Sequence, residues 1–232
     1  MSKYQEAFNL SLSDPEKFWS NAANQVKWIK KYDKVVHCDE PPFYRWFKGG
    51  KINTSYNALD RHVDEGNGDR TALIFDSAMT NTKKKYSYKE LRDKTAKLAG
   101  GLLRQGVKKG DRVIIYMPMI PQAIQAMMAC ARIGAVHSVV FGGFASNELA
   151  SRIDDSGAKV ILSASCGLEP GRTVDYKPLL EGAIKLAKHK VEKVVVYQRD
   201  DQTMDLSDGF VDWNEFIEGA PEAECVECDA ND

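Results

Sequence analysis

The sequence predicts an α/β fold whose mostly parallel, doubly wound sheet carries helices on both faces. Short apolar segments predict strands at 113–117, 135–140, 159–164 and 193–198, and segments with apolar residues at helical spacing separate them. Apolar strands that alternate with amphipathic helices are typical of parallel sheets buried on both sides. Ligands bind such sheets beyond the carboxyl ends of the strands, so the loops that follow these four strands are the candidate functional loops.

Local signals place the helices between these strands. Ser87 and Glu90 have the spacing of a capping box, which predicts a helix start just before an apolar stripe. Pro121 begins the next predicted helix, because proline suits the first helical turn. Two further helices are predicted from about residue 146 and over about 177–189.

The first part of the chain predicts an aromatic-rich, helical and irregular N-terminal arm at 1–64, ahead of a larger domain at 65–232. Ser13-Asp14-Pro15-Glu16 predicts a helix start, with a capping side chain, a proline at or near the first helical position and an early acid. Paired prolines and paired glycines exclude regular helix over 41–50. The tail after Glu218 is acidic, and we expect it to be loosely held.

Charge and hydropathy argue against nucleic-acid and membrane partners. Lys and Arg number 32, Asp and Glu number 33, and the net charge of the 232 residues is -1. The apolar runs are all too short or too interrupted to span a bilayer. The N-terminus has no apolar signal core, and its first arginine is Arg45, which predicts a cytoplasmic protein as written. A presequence ahead of Met1 would instead predict the mitochondrial matrix.

The five cysteines predict neither a disulfide framework nor a metal centre, because their count is odd and their spacing is scattered. Cys225 and Cys228 form a lone CxxC motif in the acidic tail. A structural zinc site needs a second pair of ligands, and the four histidines do not supply one at a suitable spacing. We therefore expect no metal site in this chain.

The glycine pair Gly142-Gly143 lies where the strand at 135–140 gives way to a helix, a position that suits phosphate binding. The chain nevertheless lacks both the P-loop pattern and the GxGxxG pattern. Glu148 falls in the first turn of the following helix, where a carboxylate would repel a phosphate. We expect the glycines to permit an unusual backbone angle or the close approach of an uncharged group. A structural turn and a ligand contact both stay open on the residues alone.

The loop after the strand at 159–164 is the second candidate. Pro170-Gly171 predicts a tight turn, and Arg172 follows with a permanently charged fork that suits phosphate or carboxylate. An ordinary surface arginine is the alternative. Local spacing supports no Ser/His/Asp set, no pair of catalytic carboxylates and no Cys-His arrangement, so no catalytic residue is assigned.

Five stretches of the chain form a recognisable set. They are DPEKFW (14–19), WFKGGKINTSYNALDRH (46–62), KKGDRVIIYMPMIPQAIQAMMACARIGAVHSVVFGGF (108–144), SRIDDSGAKVILSA (151–164) and EPGR (169–172). Together they resemble the N-terminal part of the AMP-forming short-chain acyl-CoA synthetases, the acetyl/propionyl-CoA synthetase family of the acyl-adenylate-forming superfamily. The resemblance extends to about residue 198, and its long central block makes it specific.

This resemblance implies a ligase that converts a short-chain carboxylate, ATP and CoA into acyl-CoA, AMP and pyrophosphate, with Mg2+ as the metal ion. An acyl-adenylate forms first, and the CoA thiol then attacks it. The resemblance also implies that Glu169, Pro170, Gly171 and Arg172 contact the nucleotide end of CoA. Gly143 would line the tunnel for the uncharged pantetheine arm. Small molecules are then the only implied partners.

The same loop favours the propionyl-CoA synthetase branch. Acetyl-CoA synthetases usually carry a basic residue at the position of Glu169, whereas EPGR followed by YKPLLEGAI (176–184) resembles the propionate branch. The resemblance therefore implies a propionate–CoA ligase, and an acetate–CoA ligase is the alternative.

The Ser/Thr/Gly-rich loop that binds the ATP phosphates in this family is not among the 232 residues. The resemblance therefore implies that the chain is an incomplete part of the family's large N-terminal domain and is inactive by itself. An alternative of another class is a truncated, catalytically inactive product that acts at most as a CoA- or partner-binding module.

Overall fold

The computed structural model describes residues 2–232, which begin with an arm of helices and a hairpin. The arm contains α1 (Lys3–Ser13), α2 (Pro15–Ala23), β1 (Lys34–Glu40), β2 (Phe43–Lys48), β3 (Lys51–Ile52) and the π-helical segment Tyr56–Asp60. A second π-helical segment, Val63–Asn67, crosses the predicted boundary after residue 64. Strands β1 and β2 pair antiparallel, so the exclusion of regular helix over 41–50 is confirmed.

The larger unit alternates strands and helices. Its elements are β4 (Thr71–Ser77), β5 (Thr82–Ser87), α3 (Tyr88–Arg104), β6 (Arg112–Met117), α4 (Pro121–Arg132), β7 (Val136–Phe141), α5 (Ser146–Ser156), β8 (Val160–Ala164), β9 (Cys166–Glu169), β10 (Arg172–Asp175), α6 (Lys177–Leu186), β11 (Lys193–Tyr197), β12 (Phe210–Asp212), α7 (Trp213–Ile217) and β13 (Cys228–Asp229). None of the helices described within residues 2–232 is long and apolar enough to cross a membrane.

Five strands form one parallel sheet in the order β12–β11–β8–β6–β7. Four of them, β6, β7, β8 and β11, are the four predicted apolar strands. The chain passes from β6 outward to β7 and then returns to β8 on the other side of β6. This reversal of direction makes a topological switch point between β6 and β8, the place where open α/β sheets bind ligands.

Helices cover both faces of this sheet, as predicted. Alternate side chains of the central strand β6 enter two separate cores, because successive residues of a strand point to opposite faces. Val113 and Ile115 pack with residues of α3, α4 and α7, whereas Ile114 and Tyr116 pack with residues of α5 and α6. All four side chains are fully buried. The predicted fold class is therefore confirmed.

The predicted helix caps are present. Asp14 accepts a hydrogen bond from the backbone N–H of Lys17 at 3.0 Å and caps α2. Ser87 Oγ accepts from the backbone N–H of Glu90 at 3.1 Å, and the Glu90 carboxylate accepts from the backbone N–H of Ser87 at 2.8 Å. These reciprocal bonds are the capping box that begins α3.

The expectation of a loosely held tail after Glu218 is wrong. Ala223 is buried, and its backbone N–H donates to the carbonyl of Ala96 at 3.1 Å. Strand β13 pairs antiparallel with β3 of the arm. Asn53 also donates to the carbonyl of Val226 at 2.7 Å. Backbone hydrogen bonds hold this segment, so its acidic side chains gave no indication of the pairing.

A buried ion pair joins the arm to the sheet domain. Arg132 at the end of α4 donates to both carboxylate oxygens of Asp60, at 2.7 and 2.9 Å. The Arg132 side chain is 4% exposed and also donates to the carbonyl of Ala223. The Arg132 guanidinium thus anchors two segments to α4: a π-helical segment of the arm and the tail after Glu218.

Candidate functional site

The carboxyl ends of the parallel strands open onto a cleft of about 450 Å³. Its walls come from the end of β6 and the segment after it (117–120), the end of β7 and the turn after it (139–143), β9 (167–169) and the segment after β11 (Arg199). Val174, Tyr176 and the end of β4 with the turn after it (75–79) complete the lining. The cleft therefore lies at the switch point between β6 and β8. The cleft lies at the edge of the sheet that carries the candidate functional loops.

The two glycines after β7 play different structural roles. A Cβ on Gly142 would lie 2.3 Å from the Tyr176 hydroxyl and 2.8 Å from the Met117 carbonyl, so only glycine permits this close approach. Gly143 has a φ of +101°, which L-amino acids with a side chain rarely adopt. The sequence predicted an unusual backbone angle or a close approach of an uncharged group, and the pair contains one of each.

Tyr116 holds the backbone of this turn. Its hydroxyl accepts a hydrogen bond from the backbone N–H of Gly143 at 3.2 Å and donates to the carbonyl of Phe144 at 2.8 Å. Burial raises the pKa of Tyr116, so the hydroxyl stays protonated at neutral pH and keeps its donor role. The position of Gly143 is therefore fixed from inside the sheet.

The segment 165–173, predicted as a loop, is instead largely a β-hairpin. Strands β9 and β10 pair antiparallel. Cys166 lies opposite Asp175 at one end of the hairpin, and Glu169 lies opposite Arg172 at the other end. The predicted Pro-Gly turn is confirmed, since Gly171 closes the hairpin with a φ of +79°. The two four-residue strands escaped prediction because their stability comes from pairing across the turn, which a short sequence pattern does not reveal.

Three of the five predicted CoA-binding residues, Gly143, Glu169 and Arg172, lie close together. Glu169 Oε2 accepts from Arg172 Nε at 2.7 Å and lies 2.6 Å from its Nη2. Glu169 Oε1 is the nearest atom to the position of a Cβ on Gly143, at 3.9 Å. Gly143 and Glu169 line the cleft, whereas Pro170, Gly171 and Arg172 lie on the hairpin tip beyond it. The Arg172 side chain is 70% exposed, which leaves its guanidinium accessible.

Sequence patterns missed three polar residues of the cleft region. Tyr116 and Tyr176 are buried within apolar surroundings, and their ring centroids lie 4.9 Å apart. Arg199 is 9% exposed and pairs with Asp201 at 3.0 Å. A tyrosine inside a fully apolar strand usually needs a hydrogen-bond partner, and that signal could have identified Tyr116.

The described residues 2–232 contain no group of three or more His, Cys, Asp or Glu side chains that could hold a metal ion. Cys225 and Cys228 are free thiols. Burial raises the pKa of Cys225 to about 12, so this thiol stays protonated at neutral pH.

Two protein families match consecutive parts of the chain. The family described as acetyl-coenzyme A synthetase N-terminus matches residues 4–58, and the AMP-binding enzyme family matches residues 59–232. The second match covers most of the chain.

Curated relatives agree with these families. Acyl-CoA synthetase short-chain family member 3, mitochondrial, from Homo sapiens is 49% identical over 227 residues, which are 97% of this chain and 33% of that protein. Acetyl-coenzyme A synthetase from Streptomyces coelicolor is 43% identical over 215 residues, 92% of this chain and 33% of that protein. The chain thus spans about a third of the length of the curated relatives that it matches.

A solved structure shares the fold. Acetoacetyl-CoA synthetase from Streptomyces lividans superposes with a TM-score of 0.87 at 23% identity, over 99% of this chain and 35% of that one. The chain therefore belongs to the AMP-binding enzyme family, where it corresponds to the N-terminal portion of AMP-forming short-chain acyl-CoA synthetases.

Proposed function

We propose that this chain is the N-terminal part of an ATP-dependent propionate–CoA ligase. The reaction converts propionate, ATP and CoA into propionyl-CoA, AMP and pyrophosphate. The observation that carries the proposal is the Glu169–Arg172 hairpin beside the open turn at Gly143, both at the carboxyl edge of a doubly wound sheet. Propionate is favoured over acetate because Glu169 occupies a position that is usually basic in acetyl-CoA synthetases.

The hairpin supplies the contacts for the nucleotide end of CoA. Arg172 offers an exposed guanidinium, whose planar fork suits a phosphate oxygen pair. Pro170 and Gly171 form the tight turn that presents it. Gly143 lacks a side chain at the cleft wall, so the uncharged arm of CoA can pass close to the backbone there.

The remaining functions belong to parts of the ligase outside these 232 residues. Residues 2–232 present no cluster that suits Mg2+, so no step is assigned to a metal ion within this chain. We propose that the arm at 1–64 and the domain at 65–232 are the first two units of the ligase. The change of matching family after residue 58 supports this division.

Turnover of the full-length protein tests the proposal. We expect formation of acyl-CoA and AMP from ATP, CoA and propionate, with a higher kcat/KM for propionate than for acetate. A higher kcat/KM for acetate would replace the propionate assignment with the alternative, an acetate–CoA ligase. The 43% identity to an acetyl-coenzyme A synthetase supports that alternative. Absence of acyl-CoA with both acids would contradict the ligase itself.

The native mass tests the relation of the chain to a longer protein. We expect an antibody against residues 1–60 to capture a species much larger than 25.9 kDa. A native species of 25.9 kDa would favour the alternative, an inactive CoA- or partner-binding module. In place of the cytoplasm, we also propose a mitochondrial location for a native protein with a presequence ahead of Met1, because the relatives named family member 3 are called mitochondrial. Recovery of the native protein in the cytosolic fraction would contradict that location.

The Glu169–Arg172 pair predicts that removal of the Glu169 carboxylate raises the affinity for CoA. An exposed ion pair contributes about 0–1 kcal/mol to the positioning of Arg172. A carboxylate within about 6 Å of a doubly charged phosphate costs roughly 1 kcal/mol even at the dielectric constant of water. The repulsion between Glu169 and the phosphate should therefore exceed the benefit of positioning Arg172. Glu169→Gln should lower the KM for CoA by about two- to fivefold.

Pantetheine, which lacks the nucleotide, is the control for this variant. Its KM should not change in Glu169→Gln, since no phosphate approaches residue 169. An unchanged or raised KM for CoA would mean that Glu169 helps rather than opposes nucleotide binding.

A further inference from the structure

The hydroxyl of Tyr176 belongs to a residue of the cleft wall and has no hydrogen-bond partner among the described residues 2–232. Tyr176 is 1% exposed and lines the cleft. Within residues 2–232 its hydroxyl makes no hydrogen bond, whereas the neighbouring Tyr116 hydroxyl makes two. Tyrosine hydroxyls in apolar surroundings normally bind a polar group, so one without a protein partner at a cleft wall is available to a ligand.

The backbone around this hydroxyl is shaped to admit it. A Cβ on Gly142 would lie 2.3 Å from the Tyr176 oxygen, and one on Gly167 would lie 2.7 Å from it. Both glycines also line the cleft. The oxygen therefore fills the gap between two wall segments that follow β7 and β8.

The charges of the cleft identify the chemistry of the missing partner. Its three charged lining residues are all paired: Asp76 with Lys83 at 2.9 Å, Glu169 with Arg172 at 2.6 Å and Arg199 with Asp201 at 3.0 Å. Much of the remaining lining is apolar, for example Met117, Leu168 and Val174. A cleft whose charges are internally satisfied and whose free group is a neutral hydroxyl suits an uncharged ligand segment that carries a hydrogen-bond acceptor.

We propose that Tyr176 donates a hydrogen bond to an amide carbonyl of the pantetheine arm of CoA and so sets the depth of the arm in the cleft. This inference rests on the proposed function, because it assumes that CoA enters beside Gly143. Burial raises the pKa of Tyr176, which keeps its hydroxyl protonated and able to donate at neutral pH. The arm is uncharged and carries amide groups, as the chemistry of the cleft requires.

Steady-state kinetics of the full-length ligase with two thiol substrates test this role. Tyr176→Phe removes one oxygen, and we expect it to raise the KM for CoA and the KM for pantetheine by the same factor, about three- to tenfold. ATP–pyrophosphate exchange should not change, because that reaction does not use the thiol. Tyr86→Phe is the matched control, since Tyr86 is 6% exposed, lies outside the cleft and should leave both KM values unchanged.

The outcomes separate this inference from the proposed function. Unchanged KM values in Tyr176→Phe, together with a raised KM for CoA alone in Arg172→Ala, would overturn the inference and leave the CoA site in place. A Tyr176→Phe effect on CoA alone, or an equal fall in pyrophosphate exchange, would also overturn it. If neither variant changed the KM for CoA, both the inference and the assigned CoA site would be wrong.

Discussion

Replacement of Arg172 by alanine is expected to raise the KM for CoA about tenfold while ATP–pyrophosphate exchange stays near the wild-type rate. A charge-assisted hydrogen bond contributes about 1.5–3 kcal/mol, and the lower end applies here because the Arg172 side chain is 70% exposed. A loss of about 1.4 kcal/mol corresponds to a factor of ten in an equilibrium constant. The KM for CoA and the exchange rate respond differently because exchange measures adenylate formation, which precedes the use of CoA.

Arg70→Ala supplies the matched control for Arg172→Ala. Arg70 is an exposed arginine outside the cleft lining, so its loss removes the same charge without touching the proposed CoA site. Its KM for CoA should remain at the wild-type value. A parallel fall of exchange and thioester formation in Arg172→Ala would show that the hairpin serves adenylation or folding instead.

Replacement of Asp60 by alanine is expected to lower the free energy of unfolding by about 3–5 kcal/mol. The change leaves the Arg132 guanidinium, 4% exposed, without the carboxylate that accepts two of its hydrogen bonds. A buried charge without a partner is among the most destabilising single changes. Denaturant unfolding, with the midpoint and slope compared with wild type, measures the loss.

Asp76→Ala is the control for this stability prediction. The ion pair between Asp76 and Lys83 has a similar length of 2.9 Å, but its two side chains are 59% and 69% exposed. Exposed pairs contribute about 0–1 kcal/mol, so the midpoint should barely move. Equal losses in the two variants would contradict the view that burial makes the Arg132–Asp60 pair important.

The parallel sheet was predictable because its signals are local. Strand β6 is a run of apolar residues, as its burial on both faces requires, and the helix that follows begins at a proline. The Ser87–Glu90 box and the Asp14 cap depend on side chains three residues from their backbone partners. Each of these features is specified within one or two turns of the chain.

The features that escaped prediction depend on distant contacts. Strand β13 pairs with β3 across almost the whole chain, although its own sequence is acidic and short. A close approach at the glycine pair was predicted, but its partner was not: it is the hydroxyl of Tyr176, 34 residues after Gly142, and no local pattern connects the two. The hairpin of β9 and β10 is local, but its residues have no apolar alternation. Contacts between distant residues decide the first two features, and pairing across its own turn decides the hairpin.

Hydrogen–deuterium exchange of the full-length protein, with and without CoA, tests the central claim most directly. If CoA binds at the turn after β7 and at the β9–β10 hairpin, saturating CoA should slow amide exchange over 141–145 and 166–175. The arm hairpin at 34–48 should exchange at an unchanged rate. Protection at other segments, with 141–145 and 166–175 unaffected at saturating CoA, would contradict the assignment of this edge of the sheet as the CoA site.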